Sequence, residues 1–361
     1  MKILTVVGAR PQFIKAAVVS HELRKMHTEI LVHTGQHFDY NMSEQFFEEL
    51  NIPKPDYNLG ISGGSHGQMT AKMLTAVESV LIEEKPDWLL VYGDTNSTLA
   101  AALAAAKLHI PICHVEAGAR VHDKRNPEEI NRICTDHVSE LLLACTESCY
   151  KEIKKEGLAK RGVLVGDPMY DAFVKYSKVK KADGMKLKLL DGTERELPEQ
   201  YYYMTCHREE NTNDDHALTE ILKAMEMLGD KTVYPVHPRN KQRAGRIVKQ
   251  FQFKNIILSE PVGYLESLAL LNNALGVVTD SGGLQREAFF AEKQCVTVLD
   301  FVVWPETMID NRNQLSHPIA GEIVEKMHRK MTVQPGYRPF GDGHAAVKIL
   351  EQITEQYVPV R

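Results

Sequence analysis

The sequence predicts an α/β protein of two doubly wound domains, each a parallel sheet with helices on both faces. Three observations carry this reading. Short apolar runs alternate with helix-period segments; the alternation breaks once, in a polar stretch, and restarts; and glycines and charged residues collect just past the apolar runs, where open parallel sheets place their chemistry.

The first half opens with a strand over residues 3–7, a helix over about 11–25 and a strand over 29–33. A helix from Gln68, a strand over 88–92, an Ala-rich helix, a strand over 112–115, a helix from Pro127 and a strand near 141–144 follow. From about Lys175 to Glu199 the chain turns basic and polar without sustained periodicity, and this stretch is read as the domain connection. Strands over 201–204, 232–236, 256–258, 276–278 and 295–298 then alternate with helices. The expected domains are residues 1–175 and 200–340, both Rossmann-like, with a ligand cleft where their strand ends face each other. Residues 341–361 are expected to form a helix packing back toward the first domain.

Composition narrows the function classes. In 361 residues, 43% hydrophobic and 25% charged, two domains of ordinary size each bury a core. A formal net charge of -5 argues against a nucleic-acid partner, because neutralising a phosphate tract needs a basic field. No apolar run reaches the roughly 20 residues of a membrane span, and Met1-Lys2-Ile3-Leu4 runs straight into a strand, so no membrane association and a cytoplasmic location are expected. The six scattered cysteines, without C-x-x-C spacing, read as reduced core residues.

The polar residues past the strands define candidate sites. Gly8-Ala9-Arg10-Pro11, with Lys15 one turn later, puts two cations beside a helix N-terminus suited to a diphosphate. Thr34-Gly35-Gln36-His37 ends the next strand, and His37 is a weaker binding candidate. In Tyr92-Gly93-Asp94-Thr95-Asn96-Ser97-Thr98, Asp94 either caps the Ala-rich helix or presents its carboxylate for chemistry. Glu116, in His114-Val115-Glu116-Ala117-Gly118-Ala119-Arg120, sits among apolar residues, where a carboxylate is costly unless paired or working. Asn126-Pro127-Glu128-Glu129-Ile130-Asn131-Arg132 reads as a helix start, with Asn126 the cap and Pro127 the first helical residue. Capping explains one acid and not the whole string, so Glu128 joins Asp94 and Glu116 as three carboxylates at neighbouring strand ends. Such crowding raises the proton affinity of one of them for acid/base work.

In the second half, Thr205-Cys206-His207-Arg208-Glu209-Glu210-Asn211 and Val236-His237-Pro238-Arg239-Asn240 follow successive strands. His207 and His237 lack a third ligand at zinc spacing, so anion contacts are expected and no metal. Thr279-Asp280-Ser281-Gly282-Gly283-Leu284-Gln285-Arg286-Glu287-Ala288 follows a buried strand. Glycines there admit a phosphate close to the backbone, Ser281 adds a hydroxyl, and Glu287 on the following helix suits ribose hydroxyls.

Taken together, G-A-R-P-Q-F-I-K, T-G-Q-H, Y-G-D-T-N-S-T, H-V-E-A-G-A-R, P-E-E-I-N-R, T-C-H-R-E-E-N, V-H-P-R-N and T-D-S-G-G-L-Q-R-E-A resemble the non-hydrolysing UDP-N-acetylglucosamine 2-epimerases, in order and spacing, from residue 8 to about 307. The resemblance implies the glycosyltransferase-B type of fold, a homodimer, a UDP-sugar substrate, no cofactor, and a role in supplying cell-surface polysaccharide synthesis. It also implies a mechanism: removal of the C2 proton, anti elimination of UDP to a 2-acetamidoglucal, then re-addition of UDP with protonation on the opposite face. Carried over, Asp94, Glu116 and Glu128 are the acid/base groups and His207 supports the departing diphosphate. Arg10, Ser281 and Gly282, with Gly283, bind phosphates; Glu287 binds ribose and the backbone near Tyr264 the uracil; Lys15, His37, Arg132 and His237 are further binding residues.

Departures from the family pattern are concentrated after the late strand, where L-R-x-x-T-E-R/W-P-E is usual. Here Leu299 replaces the cation and Val302 and Val303 replace the Thr-Glu pair, while Arg286 interrupts a Q-E-E-A pattern. H-F-D-Y-N-M-S and V-H-P-R-N resemble the branch acting on UDP-2,3-diacetamido-glucuronic acid. Two rival readings follow: a retaining glycosyltransferase of the same fold, and a UDP-sugar-binding protein weakened in catalysis.

Overall fold

The computed structural model describes residues 1–36 and 44–356; His37 and the H-F-D-Y-N-M-S stretch therefore lie outside the described residues. The chain divides into two compact units, Met1–Val174 with Arg338–Arg361, and Lys175–Tyr337.

Unit 1 runs β1 (Lys2–Val7), α1 (Arg10–Leu23), β2 (Thr28–His33), α2 (Glu44–Glu49), β3 (Tyr57–Asn58), α3 (His66–Glu84), β4 (Trp88–Tyr92), α4 (Asn96–Lys107), β5 (Ile112–Val115), α5 (Pro127–Val138), β6 (Leu141–Ala144), α6 (Glu147–Lys155), β7 (Gly162–Leu164) and α7 (Pro168–Tyr176). Its sheet has the order β3-β2-β1-β4-β5-β6-β7, every neighbouring pair parallel. The central strands are buried on both faces, which is why they read as unbroken apolar runs. Ala101, Ala102, Ala104 and Ala105 of α4 are fully buried in one cluster with Val77, Val80 and Leu81 of α3, small side chains letting the helices approach closely.

Unit 2 contains β8 (Lys186–Lys188), β9 (Glu194–Glu196), β10 (Tyr201–Thr205), α8 (Glu209–Thr212), α9 (Asp215–Met227), β11 (Lys231–Pro235), α10 (Lys241–Phe251), β12 (Ile256–Ser259), α11 (Tyr264–Asn273), β13 (Val277–Thr279), α12 (Gly282–Phe290), β14 (Cys295–Val298), β15 (Asn313–Ser316) and α13 (Ala320–His328). Its six-stranded parallel sheet, β12-β11-β10-β13-β14-β15, reverses direction of growth between β10 and β13, the switch point where doubly wound sheets bind ligands.

Two features differ from the sequence expectation. The stretch read as a connection belongs to unit 2 and carries the antiparallel hairpin β8–β9, which pairs Lys186 with Glu196 and Lys188 with Glu194 and buries Leu187. The last segment returns to unit 1 as α14 (Ala345–Glu355), already from Arg338 rather than residue 341. Its first turn lacks a side-chain cap of its own, and Asp171 of α7 accepts the Ala346 N–H at 2.8 Å instead. Among the described residues no helix is long and apolar enough to cross a membrane.

Candidate active site

In unit 1 the switch point lies between β1 and β4, and the loops leaving these strands are tied together by one side chain, Gln12. Its Oε1 accepts the Gly8 and Ala9 N–H groups at 2.7 and 3.0 Å, while Nε2 donates to the Tyr92 carbonyl, Thr95 Oγ1 and Thr98 Oγ1 at 2.8, 3.0 and 2.9 Å. The N–H groups of Gly8 and Ala9 are therefore used within the unit itself. Gly8 is required by closeness: a Cβ there would lie 2.2 Å from Ser97 Oγ and 2.3 Å from Thr34 Oγ1. Arg10 is partly exposed with its guanidinium 4.7 Å from the Phe46 ring centroid.

Each of the two strand-end carboxylates has its own cation. Glu116, 7% exposed, pairs with the ammonium of Lys15, 1% exposed. Glu116 also holds a left-handed backbone, φ +74°, a conformation costly for a residue with a Cβ and characteristic of functional turns. Asp94, a quarter exposed, receives Arg132 Nη2 at 2.5 Å, and Arg132 Nη1 reaches Glu129 Oε2 at 3.0 Å. Gly93 brings the two pairs together: it adjoins Asp94 in the chain, and a Cβ on it would lie 3.4 Å from Glu116 Oε1 and 3.5 Å from Lys15 Nζ. Asp94 is not the helix cap, since Thr95 accepts the Thr98 N–H and fills that role.

Lys15 and Arg132, expected among the substrate-binding residues, lie in the structure as the buried counterions of Glu116 and Asp94. Two of the three acids are thus each paired with a cation of their own. Glu128, half-buried in the first turn of α5 behind the Asn126 cap, has no side-chain ion pair or hydrogen bond among the described residues. It lies one turn before Arg132, on the helix that positions Asp94.

Beneath this layer is a charged scaffold that the sequence reading missed. His114 is fully buried with both ring nitrogens donating, Nδ1 to Asp136 Oδ1 at 2.6 Å and Nε2 to the Gly93 carbonyl at 2.7 Å. Asp136 also accepts the Gly118 N–H at 3.0 Å and Arg120 Nη2 at 2.6 Å, and Arg120 pairs with Glu156. Burial pushes the Asp136 carboxyl up, but the His114 and Arg120 charges and hydrogen bonds outweigh it and hold the group below the usual carboxylate range. Glu116, Cys145 and Asp167 place possible ligand atoms within 4.8 Å of one another, all buried. A metal fits poorly: Lys15 already supplies the positive charge there, and burial, then the Asp167 and Glu116 charges, push the Cys145 thiol well up, away from the thiolate a metal takes.

In unit 2 the loops past β10 and β13 converge on Asp280. Ser281 is the N-cap of α12, accepting the Leu284 N–H at 3.3 Å, and Gly282 and Gly283 form its first turn, each partly exposed. Among the described residues a Cβ on Gly282 would meet only Gln285 Nε2, at 3.8 Å, so their packing leaves open space over this turn. Glu287, two turns on, is buried. His207 is 44% exposed at its side chain, with Nδ1 3.1 Å from Asp280 Oδ1. His237 is half-buried, its Nδ1 accepting the Arg239 N–H at 3.3 Å, and Tyr264 is buried at the start of α11. Of the departures, Leu299 is buried, Val302 and Val303 are half-buried, and Arg286 is buried with its guanidinium 4.2 Å from the Trp304 ring centroid.

Residues 21–354 match the family model described as UDP-N-acetylglucosamine 2-epimerase. The chain is 45% identical to a UDP-2,3-diacetamido-2,3-dideoxy-D-glucuronate 2-epimerase of Pseudomonas aeruginosa, covering 98% of this chain and 100% of that one. It is 45% identical to a UDP-N-acetylglucosamine 2-epimerase homolog of Methanococcus maripaludis, over 97% and 99% of the two chains. Among solved structures it is similar to Methanocaldococcus jannaschii UDP-GlcNAc 2-epimerase in complex with UDP-GlcNAc and UDP, with a TM-score of 0.86, 36% identity, and coverage of 98% of this chain and 100% of that one.

Proposed function

The chain belongs to the UDP-N-acetylglucosamine 2-epimerase family, and from that premise we propose that it inverts C2 of a UDP-linked 2-acetamido sugar. The observation that carries the reading is the pair of strand-end carboxylates, Asp94 and Glu116, brought to one glycine and each held by a buried cation. One of the acid/base groups Asp94, Glu116 and Glu128 takes the C2 proton, the C1–O bond to UDP breaks with its electron pair leaving on the diphosphate, and a 2-acetamidoglucal results. UDP then re-adds at C1 while C2 is protonated on the opposite face.

A C2 hydrogen beside carbons bearing only oxygen and an amide is weakly acidic, so departure of UDP needs as much help as proton removal. His207, Arg10, Ser281 and the N–H groups of Gly282 and Gly283 supply it, with Glu287 on the ribose, the Tyr264 backbone on uracil and His237 beside the diphosphate. Lys15 and Arg132 pair with Glu116 and Asp94 and aim their carboxylates. The homodimer, the cytoplasmic location and the place in polysaccharide precursor supply belong to the same proposal; sedimentation tests the first.

The sugar is modified beyond UDP-N-acetylglucosamine. Support comes from the apolar Leu299, Val302 and Val303 where hydrogen-bonding residues were expected, and from the 45% identity to the diacetamido-glucuronate enzyme. A buried substrate hydroxyl left unpaired costs about 1–3 kcal/mol, or roughly 10- to 100-fold in rate. Incubation with each UDP-sugar separately, followed by chromatographic separation of the C2 epimers, tests this: faster interconversion of the diacetamido uronate supports it, and faster turnover of UDP-N-acetylglucosamine refutes it.

A further inference from the structure

We infer that Asp280 is the positioning residue for His207, holding its ring with the Nδ1 proton on the buried carboxylate and Nε2 turned to the ligand as a cationic donor. The inference rests on the proposed role of His207 at the diphosphate and adds a residue to which no function had been given.

The geometry is local to unit 2. Asp280 is 1% exposed and its carboxylate is the hub of the loop after β10: it accepts the His207 N–H at 3.1 and 3.0 Å, the Arg208 N–H at 2.9 Å and Asn211 Nδ2 at 3.2 Å, beside His207 Nδ1 at 3.1 Å. Its backbone carbonyl accepts Arg208 Nε at 3.0 Å. Asp280 immediately precedes Ser281, the cap of α12, so the carboxylate beside the imidazole adjoins the helix start in the chain. A carboxylate behind an imidazole sets which nitrogen carries the outward function and favours the doubly protonated ring. Burial pushes the Asp280 carboxyl up, and the His207 charge and the N–H donors outweigh it, holding it well below the usual range.

The other charged and titratable groups around the ring are accounted for. Arg239 donates Nη2 to the His207 carbonyl at 2.7 Å and pairs through Nη1 with Glu209 at 3.1 Å; Arg208 lies against the Asp280 carbonyl; His237 holds the Arg239 N–H. Cys206 directs its thiol to Asp280, and burial first, then the Asp280 charge, push it well up, while Tyr234, its hydroxyl on the Cys206 carbonyl, is pushed well up for the same first reason. The thiol and the phenol thus keep their protons through neutral pH, and His237 is the group that a His207 variant must separate.

UDP affinity measured by calorimetry between about pH 6.5 and 9, above the second ionisation of a terminal phosphate near 6, tests the inference. In the unaltered protein affinity falls as pH rises and the ring loses its second proton. In Asp280→Asn the fall sets in about one pH unit lower, the effect of losing an adjacent opposite charge, and Asp280→Glu restores part of the difference. His207→Asn abolishes the fall, which also covers the case of an Asp280 variant that does not fold. Equal weakening at every pH in Asp280→Asn, or an unchanged fall in His207→Asn, overturns the inference while leaving UDP binding intact; absence of UDP binding to the unaltered protein defeats the functional reading as well.

Discussion

Lys15 and Glu116 show what a single residue contributes here. Neither buried charge is tolerable alone, since removing one partner of a buried pair costs about 3–5 kcal/mol. Lys15→Met is therefore expected to destabilise unit 1 by about that much, and Lys15→Met with Glu116→Gln by clearly less, as read from denaturant unfolding; equal losses in the two variants contradict the pairing. The sequence made Glu116 legible because an acid in an apolar strand end is anomalous. It did not make Lys15 legible as its partner, because a lysine on a first helical turn reads equally as solvated. His114, Arg120 and Asp136 were not legible as a group, because Asp136 reaches the other two from a separate helix.

At the scale of elements, the strand–turn–helix unit β13–α12 is the most economical part of the design. Open space over Gly282, N–H groups of a helix start and a capping serine make a cradle that a side chain at 282 would fill. Gly282→Val is expected to weaken UDP binding by about 1–3 kcal/mol with the fold retained, the scale of lost charge-assisted bonds; calorimetry showing unchanged affinity moves the phosphate site elsewhere. The long apolar strands and the Ala-rich helix were readable from periodicity. Four pieces were not: β3 has two residues, β7 is a short segment opened by Gly162, β15 is the polar Asn313–Ser316, and β8–β9 is charged on both strands. Each gets its strand character from neighbours rather than from its own apolar pattern.

Across the whole molecule, each unit holds a buried aspartate whose carboxyl its histidine partner and hydrogen-bond donors keep below the usual range, Asp136 in unit 1 and Asp280 in unit 2. A carboxyl lowered in the folded state contributes stability that is present above its unfolded value, about pH 4, and is lost as pH falls. Melting temperature is therefore expected to drop steeply below about pH 4, and less steeply in Asp136→Asn, already destabilised at neutrality; parallel profiles contradict this role for Asp136. The proposed chemistry rests on Asp94 and Glu116 of unit 1 as groups that exchange the C2 proton. That claim is tested most directly by incubating the enzyme with its UDP-2-acetamido sugar in deuterated water and following C2 by NMR. Deuterium is expected at C2 in both epimers, with loss of that exchange in Asp94→Asn and Glu116→Gln; an epimer formed with its original C2 hydrogen fully retained contradicts the proposed chemistry.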